Sequence, residues 1–306
     1  MLSPHVHAQE KRLAYLVSDA RIPFWNIMAG GITHKARELG YSVSVYSADN
    51  LARRELELTV KAIEDGVEGI ILSPTNSSAA VTVLKLAEQS RVPVIIADIG
   101  AGSDNYVSYI ESDNDQGAYD LGLMLASALS DRGWSEGSVG IIAIPQKRAN
   151  GKARTEGFLR ALDERGVRTA GIHQKSDFSY RETYEFSQHL IAQHPDLRAI
   201  WLQDSNRYQG ALDAIAEAGK DGQVLLICFD AEPEFVQMIH DGRLVGAGMQ
   251  QPFLMGEKAV DTMDRYLQGH AIEKVQQLSV LPVSSQNLNA LLPIIQRNVL
   301  GAEPGG

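Results

Sequence analysis

The sequence predicts an α/β protein made of two similar, doubly wound parallel sheets. Short runs rich in Val, Ile and Leu alternate with amphipathic segments along the chain, which predicts βαβ units. The strand-like runs are apolar throughout, as expected when helices cover both faces of a sheet. At least ten such runs are present, more than one open sheet usually holds, so we expect two lobes.

The elements follow in order from these patterns. Pro23 suits the first turn of the first helix, which runs on through Ile27 to Leu39, and Gly40 closes it. The predicted strands are Leu13–Val17, Ser42–Tyr46, Gly69–Leu72, Val92–Ala97, Tyr106–Ile110, Val139–Ile144, Ala170–Gln174, Ala199–Leu202, Gln223–Phe229 and Leu244–Met249. The further predicted helices are Glu55–Asp65, Ser78–Ser90, Asn114–Ser130, Gly151–Arg165, Tyr180–His194, Tyr208–Ala218, Glu234–Asp241 and Phe253–Leu267.

Each half of the chain begins with the same outline of strand, loop, helix and glycine, over residues 13–40 and 139–166. This repeat predicts two lobes joined by a hinge of several strands. We expect lobe one to comprise residues 11–112 and 251–281, and lobe two 113–250 and 282–300. Residues 1–10 and 301–306 are predicted to be disordered tails.

Composition excludes several classes of protein. The 306 residues carry a net charge of −10, which argues against nucleic-acid binding, and no apolar run approaches the ~20 residues of a membrane span. The single cysteine, Cys228, lies in an apolar run and is expected in the core. Val6-His7-Ala8 before Gln9 resembles the end of a secretory signal, which favours an exported protein with its leader removed. The alternative is an N-terminal arm of a cytosolic protein.

The adjacent aromatic pair Phe24-Trp25 lies at the turn between the first strand and its helix. Two neighbouring rings are not expected to face the same core, so at least one is predicted to face a cleft. In open α/β sheets ligands bind at the carboxyl ends of strands, where this turn lies. An aromatic ring there can stack on the C–H face of a sugar.

Seven sequence pieces, in order, carry a family resemblance. They are LVSD followed by PFW, then GIILSPTNSSA, VPVIIADIG, YIESDNDQGA, ARTEGFLRAL, HPDLRAIWLQD, and ICFDAEPE with Gln250 soon after. Across roughly residues 12–285 the chain resembles the periplasmic sugar-binding proteins of the ribose/galactose type, with the type I periplasmic binding fold. The resemblance implies a ligand held in the cleft between two lobes that close around it.

The resemblance also implies partners and a location. It predicts a periplasmic receptor that binds a small hydroxylated ligand, without a cofactor, a metal or insertion into the membrane. The partner is expected to be the permease of an ABC importer or, alternatively, a membrane sensor kinase or chemoreceptor. A cytosolic regulator is disfavoured because no DNA-binding segment precedes the first strand. No catalytic motif is present in the sequence, so an enzyme is not expected.

The expected ligand-binding residues combine aromatic rings with polar groups near strand ends. Asp98 and Asp230 each follow a strand, where a carboxylate can accept hydroxyl hydrogen bonds. Ser73, also at a strand end, is a lesser candidate. The full predicted set is Ser18, Phe24, Trp25, Asp98, Lys152, Arg154, Phe178, Tyr180, Asp204, Asp230 and Gln250.

Several positions depart from the family pattern. Ile22 stands where the family has Asn, and Ile99, Lys152 and Tyr180 stand where it has Arg, while Asp204 occupies a position that is often Asn. Fewer donors and more apolar surface favour a neutral polyol, a modified sugar or a furanose. A cationic ligand held by aromatic rings and carboxylates is the alternative. Helical spacing of apolar residues over 288–299 predicts a segment that packs on lobe two or contacts a partner.

Overall fold

The computed structural model describes residues 11–302, and within them it contains twelve strands and ten α-helices. The strands are β1 Lys11–Val17, β2 Tyr41–Ser47, β3 Gly69–Ser73, β4 Val94–Ala97, β5 Ser108–Ser112, β6 Ser138–Ala143, β7 Arg168–Gln174, β8 Leu197–Leu202, β9 Leu225–Phe229, β10 Gly246–Met249, β11 Val275–Leu278 and β12 Leu281–Ser284. The helices are α1 Pro23–Glu38, α2 Ala52–Glu64, α3 Ser77–Gln89, α4 Asn114–Asp131, α5 Ala149–Glu164, α6 Tyr180–Gln193, α7 Tyr208–Glu217, α8 Phe235–His240, α9 Pro252–Leu267 and α10 Leu288–Ile294. A π-helical turn, Ile295–Val299, follows α10.

The chain forms two compact units, each built on a six-stranded sheet. Unit 1 takes the described part of Met1–Glu111 and Gly301–Gly306 together with Pro252–Leu278, and unit 2 takes Ser112–Gln251 and Ser279–Leu300. The sequence instead predicted that the chain passes from one lobe to the other after residues 112, 250 and 281. The predicted leader remnant, and the predicted disorder of residues 1–10 and 303–306, fall outside the described residues.

The two sheets have the same strand order. In unit 1 it is β11-β5-β4-β3-β1-β2, and in unit 2 it is β12-β10-β9-β8-β6-β7. The pairs from β5 to β2 and from β10 to β7 are parallel, whereas β12 is antiparallel to β10. Parallel strands bring their carboxyl ends to one edge of a sheet, so the loops after β1, β3 and β4 share an edge in unit 1. The loops after β6, β8 and β9 do so in unit 2.

Each sheet has a core on both faces, as the apolar strands predicted. Along β1, Leu13, Tyr15 and Val17 enter one cluster, with residues of α1 and α9. Ala14 and Leu16 enter the other, with residues of α2 and α3. The period-two alternation of a strand places successive side chains on opposite faces, so both sets of helices are needed to bury it.

Two glycines allow helices to pack closely. A Cβ on Gly31 would lie 2.0 Å from the carbonyl oxygen of Phe253, where α1 meets α9. A Cβ on Gly157 would lie 2.1 Å from the carbonyl oxygen of Asp115, where α5 meets α4. A side chain at either position would push the two helices apart.

The ten predicted strands are all present, with ends shifted by a few residues, and two more were missed. The missed strands are β11, with the polar sequence VQQL, and β12, which contains Pro282. Both lie at sheet edges, where polar residues and proline are tolerated and the apolar signal is weak. The C-terminal apolar segment packs on unit 2, because Leu288, Ile295 and Val299 are buried in its core.

Candidate ligand-binding site

The carboxyl edge of the unit 1 sheet carries Ser18, Ser73 and Asp98. Ser18 follows β1 and is only 4% exposed, and its carbonyl accepts a hydrogen bond from the Asn50 N–H at 2.7 Å. The Ser73 hydroxyl lies 3.1 Å from that of Tyr15 inside the core, which suits a structural role. Asp98 follows β4 in the left-handed conformation, with φ of 67°, and its side chain is half-buried. Asp98 is the least buried of the three and the one with a carboxylate to offer a ligand.

Phe24 and Trp25 lie in the first turn of α1, with ring centroids 5.0 Å apart and ring planes perpendicular. Trp25 is 7% exposed and belongs to the core of unit 1, and the half-buried Phe24 packs against that same core. The expectation that two adjacent rings do not share a core is therefore wrong, since the edge-to-face arrangement places both against it. Phe24 keeps an exposed surface, which favours it as the ring that meets a ligand.

Sequence reasoning missed Asp19, whose carboxylate holds two loops together at the carboxyl edge of the unit 1 sheet. Its carboxylate accepts hydrogen bonds from the Arg21 guanidinium at 2.7 and 2.8 Å and from Asn50 at 2.9 Å. The bonds from Arg21 are the largest cause that lowers the pKa of Asp19. The carboxylate thus ties the loop after β1 to the loop after β2. The signal in the sequence was the position of Asp19 directly after Ser18, at the end of the LVSD motif.

Arg154 is the central cation of the unit 2 edge. It is 2% exposed, its Nε donates to Asn114 at 2.8 Å, and its Nη1 donates to the Gln203 carbonyl at 2.6 Å. The guanidinium lies 3.8 Å from the centre of the Phe229 ring, a cation–π contact. A planar fork can hold these partners together, whereas a lysine cannot. Sequence reasoning missed Asn114 and Gln203, whose role depends on contacts between distant segments.

Asp230 lies beside Arg154, with 3.7 Å between a carboxylate oxygen and Nη1. It follows β9 and accepts a hydrogen bond from the Gln250 side-chain amide. Burial is the largest influence on its pKa, which is raised, and the positive charge of Arg154 opposes that rise. The side-chain carbonyl oxygen of Gln250, Oε1, is buried and has no hydrogen-bond partner within the described chain. This edge of the sheet therefore offers an acceptor to a donor from outside the chain.

Asp204 follows β8 and pairs with Lys175, which sequence reasoning missed. The Lys175 ammonium is fully buried and lies 2.8 Å from Asp204 Oδ1, while Asp204 Oδ2 is buried without a hydrogen-bond partner. Lys175 also donates to the Asn206 carbonyl at 3.2 Å. The cations beside Asp230 and Asp204 are thus Arg154 and Lys175 respectively, where the sequence suggested Arg154 and Lys152.

The remaining predicted residues of unit 2 lie nearer to solvent. The Lys152 side chain is 68% exposed, with Glu156 at 3.7 Å. Tyr180 is 42% exposed, and its hydroxyl donates to Asp213 at 2.5 Å. Phe178 is half-buried, in a loop fixed by its own N–H, which donates to Glu182 at 2.9 Å. Phe178 is the best placed of the three for a ligand, and the roles of Lys152 and Tyr180 stay predictions.

The arrangement in unit 2 combines fixed cations with carbonyl and carboxylate acceptors, which suits recognition of hydroxyl groups. Over residues 11–302, no group of His, Cys, Asp and Glu side chains is placed to hold a metal ion. None of the helices within that range is long and apolar enough to cross a membrane.

Known proteins match most of the length of this chain. A family model described as a periplasmic binding protein domain matches residues 13–271. The ribose import binding protein of Haemophilus influenzae is 32% identical over 265 residues, covering 85% of this chain and 87% of that protein. The Escherichia coli protein of the same name is 31% identical and covers 86% of both. A crystal structure described as a periplasmic ribose ABC transporter from Conexibacter woesei superposes with a TM-score of 0.85 at 21% identity, covering 95% of this chain and 98% of that one.

Proposed function

The chain belongs to the periplasmic sugar-binding proteins of the ribose/galactose type, and on that basis we propose that it captures one small neutral sugar or polyol for import. The observation that carries the proposal is the pair of buried acceptors without partners, Asp204 Oδ2 and Gln250 Oε1. Buried polar atoms in proteins are nearly always hydrogen-bonded, so these oxygens call for donors from outside the chain. Sugar hydroxyls are donors of the right size and charge.

The proposed ligand-binding residues are Asp98 and the exposed face of Phe24 in unit 1, and Arg154, Asp230 and Phe178 in unit 2. Aromatic rings cover the C–H faces of a sugar while charged groups bond its hydroxyls.

The protein acts, in this proposal, in the periplasm as the binding component of an ABC importer and catalyses no reaction. The similar proteins are ribose import binding proteins, which supports delivery to a permease. The C-terminal apolar segment packs on unit 2 through Leu288, Ile295 and Val299, and no observation favours the signalling alternative.

A thermal-shift screen tests the proposal with pentoses, hexoses, polyols and small quaternary amines. A ligand that binds only the folded state at 100 times its Kd stabilises it by about 2.7 kcal/mol, which raises Tm by several degrees. We expect a neutral sugar or polyol to do so, with micromolar or tighter affinity. The Asp230→Asn variant should lose the shift, whereas Asp221→Asn, at an exposed surface position, should keep it. A response to quaternary amines alone, or to nothing in the screen, would contradict the proposal.

A further inference from the structure

Lys175 and Asp204 form a buried ion pair near the carboxyl end of strand β6. The two residues follow β7 and β8, the strands that flank β6. The Lys175 N–H donates to the carbonyl of Ala143 in β6 at 2.8 Å, and the N–H of Gln203, next to Asp204, donates to the carbonyl of Ile142 in β6 at 3.0 Å. The exposed fractions of the side chains are 0% for Lys175 and 5% for Asp204. Both groups are therefore held in place by the sheet itself.

Only one oxygen of the Asp204 carboxylate, Oδ1, takes part in the ion pair. Oδ1 accepts from the Lys175 ammonium at 2.8 Å, and the same ammonium donates to the Asn206 carbonyl at 3.2 Å. Oδ2 is buried and without a partner. An unsatisfied buried acceptor is costly, and more so when it carries charge. The ion pair therefore leaves one charged acceptor oxygen of Asp204 without a hydrogen bond.

The chemistry of this acceptor differs from that of an asparagine in the same place. An asparagine amide offers one donor and one acceptor and can rotate to match either kind of ligand atom. A carboxylate pinned by Lys175 offers acceptors only. Gln250 has the same bias, because its amide donates to Asp230 and leaves its carbonyl oxygen without a partner.

Building on the proposed function, we propose that Lys175 is a positioning residue that makes Asp204 a selective acceptor for a hydroxyl donor of the ligand. With Gln250 Oε1, the unit 2 edge then selects sugars that present two free hydroxyl donors. Sugars that carry a carboxylate or a phosphate at that point are rejected, because the fixed negative charge of Asp204 repels them and offers no donor.

Fluorinated sugars test this inference. Replacing a hydroxyl with fluorine removes its proton with little change in size. The probes are the neutral sugar with the largest Tm shift and its set of singly deoxyfluorinated analogues, with Kd measured by calorimetry. In the wild-type protein we expect the analogue that lacks the hydroxyl bound by Asp204 to bind about 10- to 100-fold more weakly than the parent, because Asp204 Oδ2 stays unpaired.

The double variant Lys175→Met/Asp204→Asn removes both charges at nearly constant volume. Its amide can turn its donor toward fluorine, so the loss for that analogue should fall to less than about 5-fold. Lys175→Met alone leaves a buried unpaired carboxylate and is expected to fold poorly, so the double variant carries the test. A purely structural role would weaken parent and analogue alike and leave their affinity ratio unchanged. The control is Arg168→Met/Asp196→Asn, which removes an exposed pair of the same unit, also 2.8 Å apart, and should keep the wild-type ratio.

The outcomes separate the two proposals. If a sugar binds and the analogue ratio is the same in the wild type and the double variant, this inference is wrong and the proposed function stands. If no neutral sugar binds the wild-type protein, the proposed function fails and the inference fails with it.

Discussion

Asp98 and Asp230 have the same left-handed backbone conformation, with φ of 67° at each. Each is the first residue after its strand, β4 or β9, and these strands hold the same place in the two sheets. Each backbone N–H donates at 2.9 Å to a carbonyl of the neighbouring strand, that of Ile110 for Asp98 and that of Gly248 for Asp230. Strained conformations of this kind cluster at functional sites. The shared geometry supports Asp98 and Asp230 as equivalent ligand-binding residues.

Replacing either aspartate by glycine or alanine should separate backbone strain from ligand binding. Glycine adopts the left-handed conformation freely, whereas alanine is strained there by about 1 kcal/mol. We therefore expect Asp98→Gly and Asp230→Gly to unfold in denaturant at higher concentrations than the matching alanine variants. Both substitutions should weaken sugar binding by about 10- to 100-fold, as loss of a hydrogen bond to a charged group does. A glycine variant with wild-type affinity would exclude its aspartate from the site.

Sugar affinity should fall at acid pH through protonation of Asp230. Burial raises the pKa of Asp230, with the charge of Asp204 adding to the rise and Arg154 and Gln250 opposing it. Because the ligand needs the ionised carboxylate as an acceptor, Kd should begin to rise at a higher pH than it would for an ordinary aspartate. Asp230→Asn should bind more weakly and lack this part of the pH profile. Identical profiles, measured by calorimetry in matched buffers, would contradict the assignment.

Stability should respond to pH in the opposite sense. A raised carboxyl pKa means that the folded state binds the proton more tightly than the unfolded chain does. The contribution of Asp230 to the free energy of unfolding therefore decreases as pH rises from its ordinary pKa through the raised one. We expect Asp230→Asn to gain stability relative to the wild-type protein over that interval, measured by urea unfolding without ligand. A constant difference between the two proteins across pH would show that the pKa is not raised.

Substitutions of the two cations predicted in the segment GKARTEGF, Lys152 and Arg154, should differ in their effects on stability and sugar affinity. Arg154 is buried and holds Asn114, the Gln203 carbonyl and the Phe229 ring, so Arg154→Met should cost about 3–5 kcal/mol by leaving Asp230 without its cation. Lys152 is 68% exposed, so Lys152→Ala should change stability by less than about 0.5 kcal/mol. We expect Lys152→Ala to change sugar affinity by less than about 3-fold. A tenfold loss would instead support Lys152 as a ligand-binding residue.

The sequence predicted the fold because its signal is local and repeated. Most strands inside the sheets contain an apolar run bounded by a turn, and helical periodicity fills the intervals, as in β1 and α1. The edge strands β11 and β12 were missed because each has one neighbouring strand and carries polar residues or proline. Their pairing is set by neighbours distant in sequence, such as Gly248 opposite Pro282.

The site was less predictable because side-chain partners are not local. The aspartates stood out at strand ends, but the partner of Asp204 is Lys175, 29 residues earlier, and the lysine follows a strand with a mixed burial pattern. A lysine in a polar stretch is ordinarily an exposed residue. Likewise the burial of Arg154 depends on Gln203 and Asn114, which carry no motif of their own.

The adjacent rings of α1 should divide between ligand binding and stability. Trp25 is 7% exposed in the core of unit 1, so Trp25→Ala should cost about 3–5 kcal/mol of stability. Phe24 is half-buried, so Phe24→Ala should cost less than that and should mainly weaken sugar binding, since it removes a stacking surface. Calorimetry at a temperature where both variants are folded separates the two effects, and Phe24→Tyr, which keeps a ring, serves as the matched control. If Phe24→Ala bound the sugar as tightly as Phe24→Tyr while Trp25→Ala did not, Trp25 would be the ring that meets the ligand.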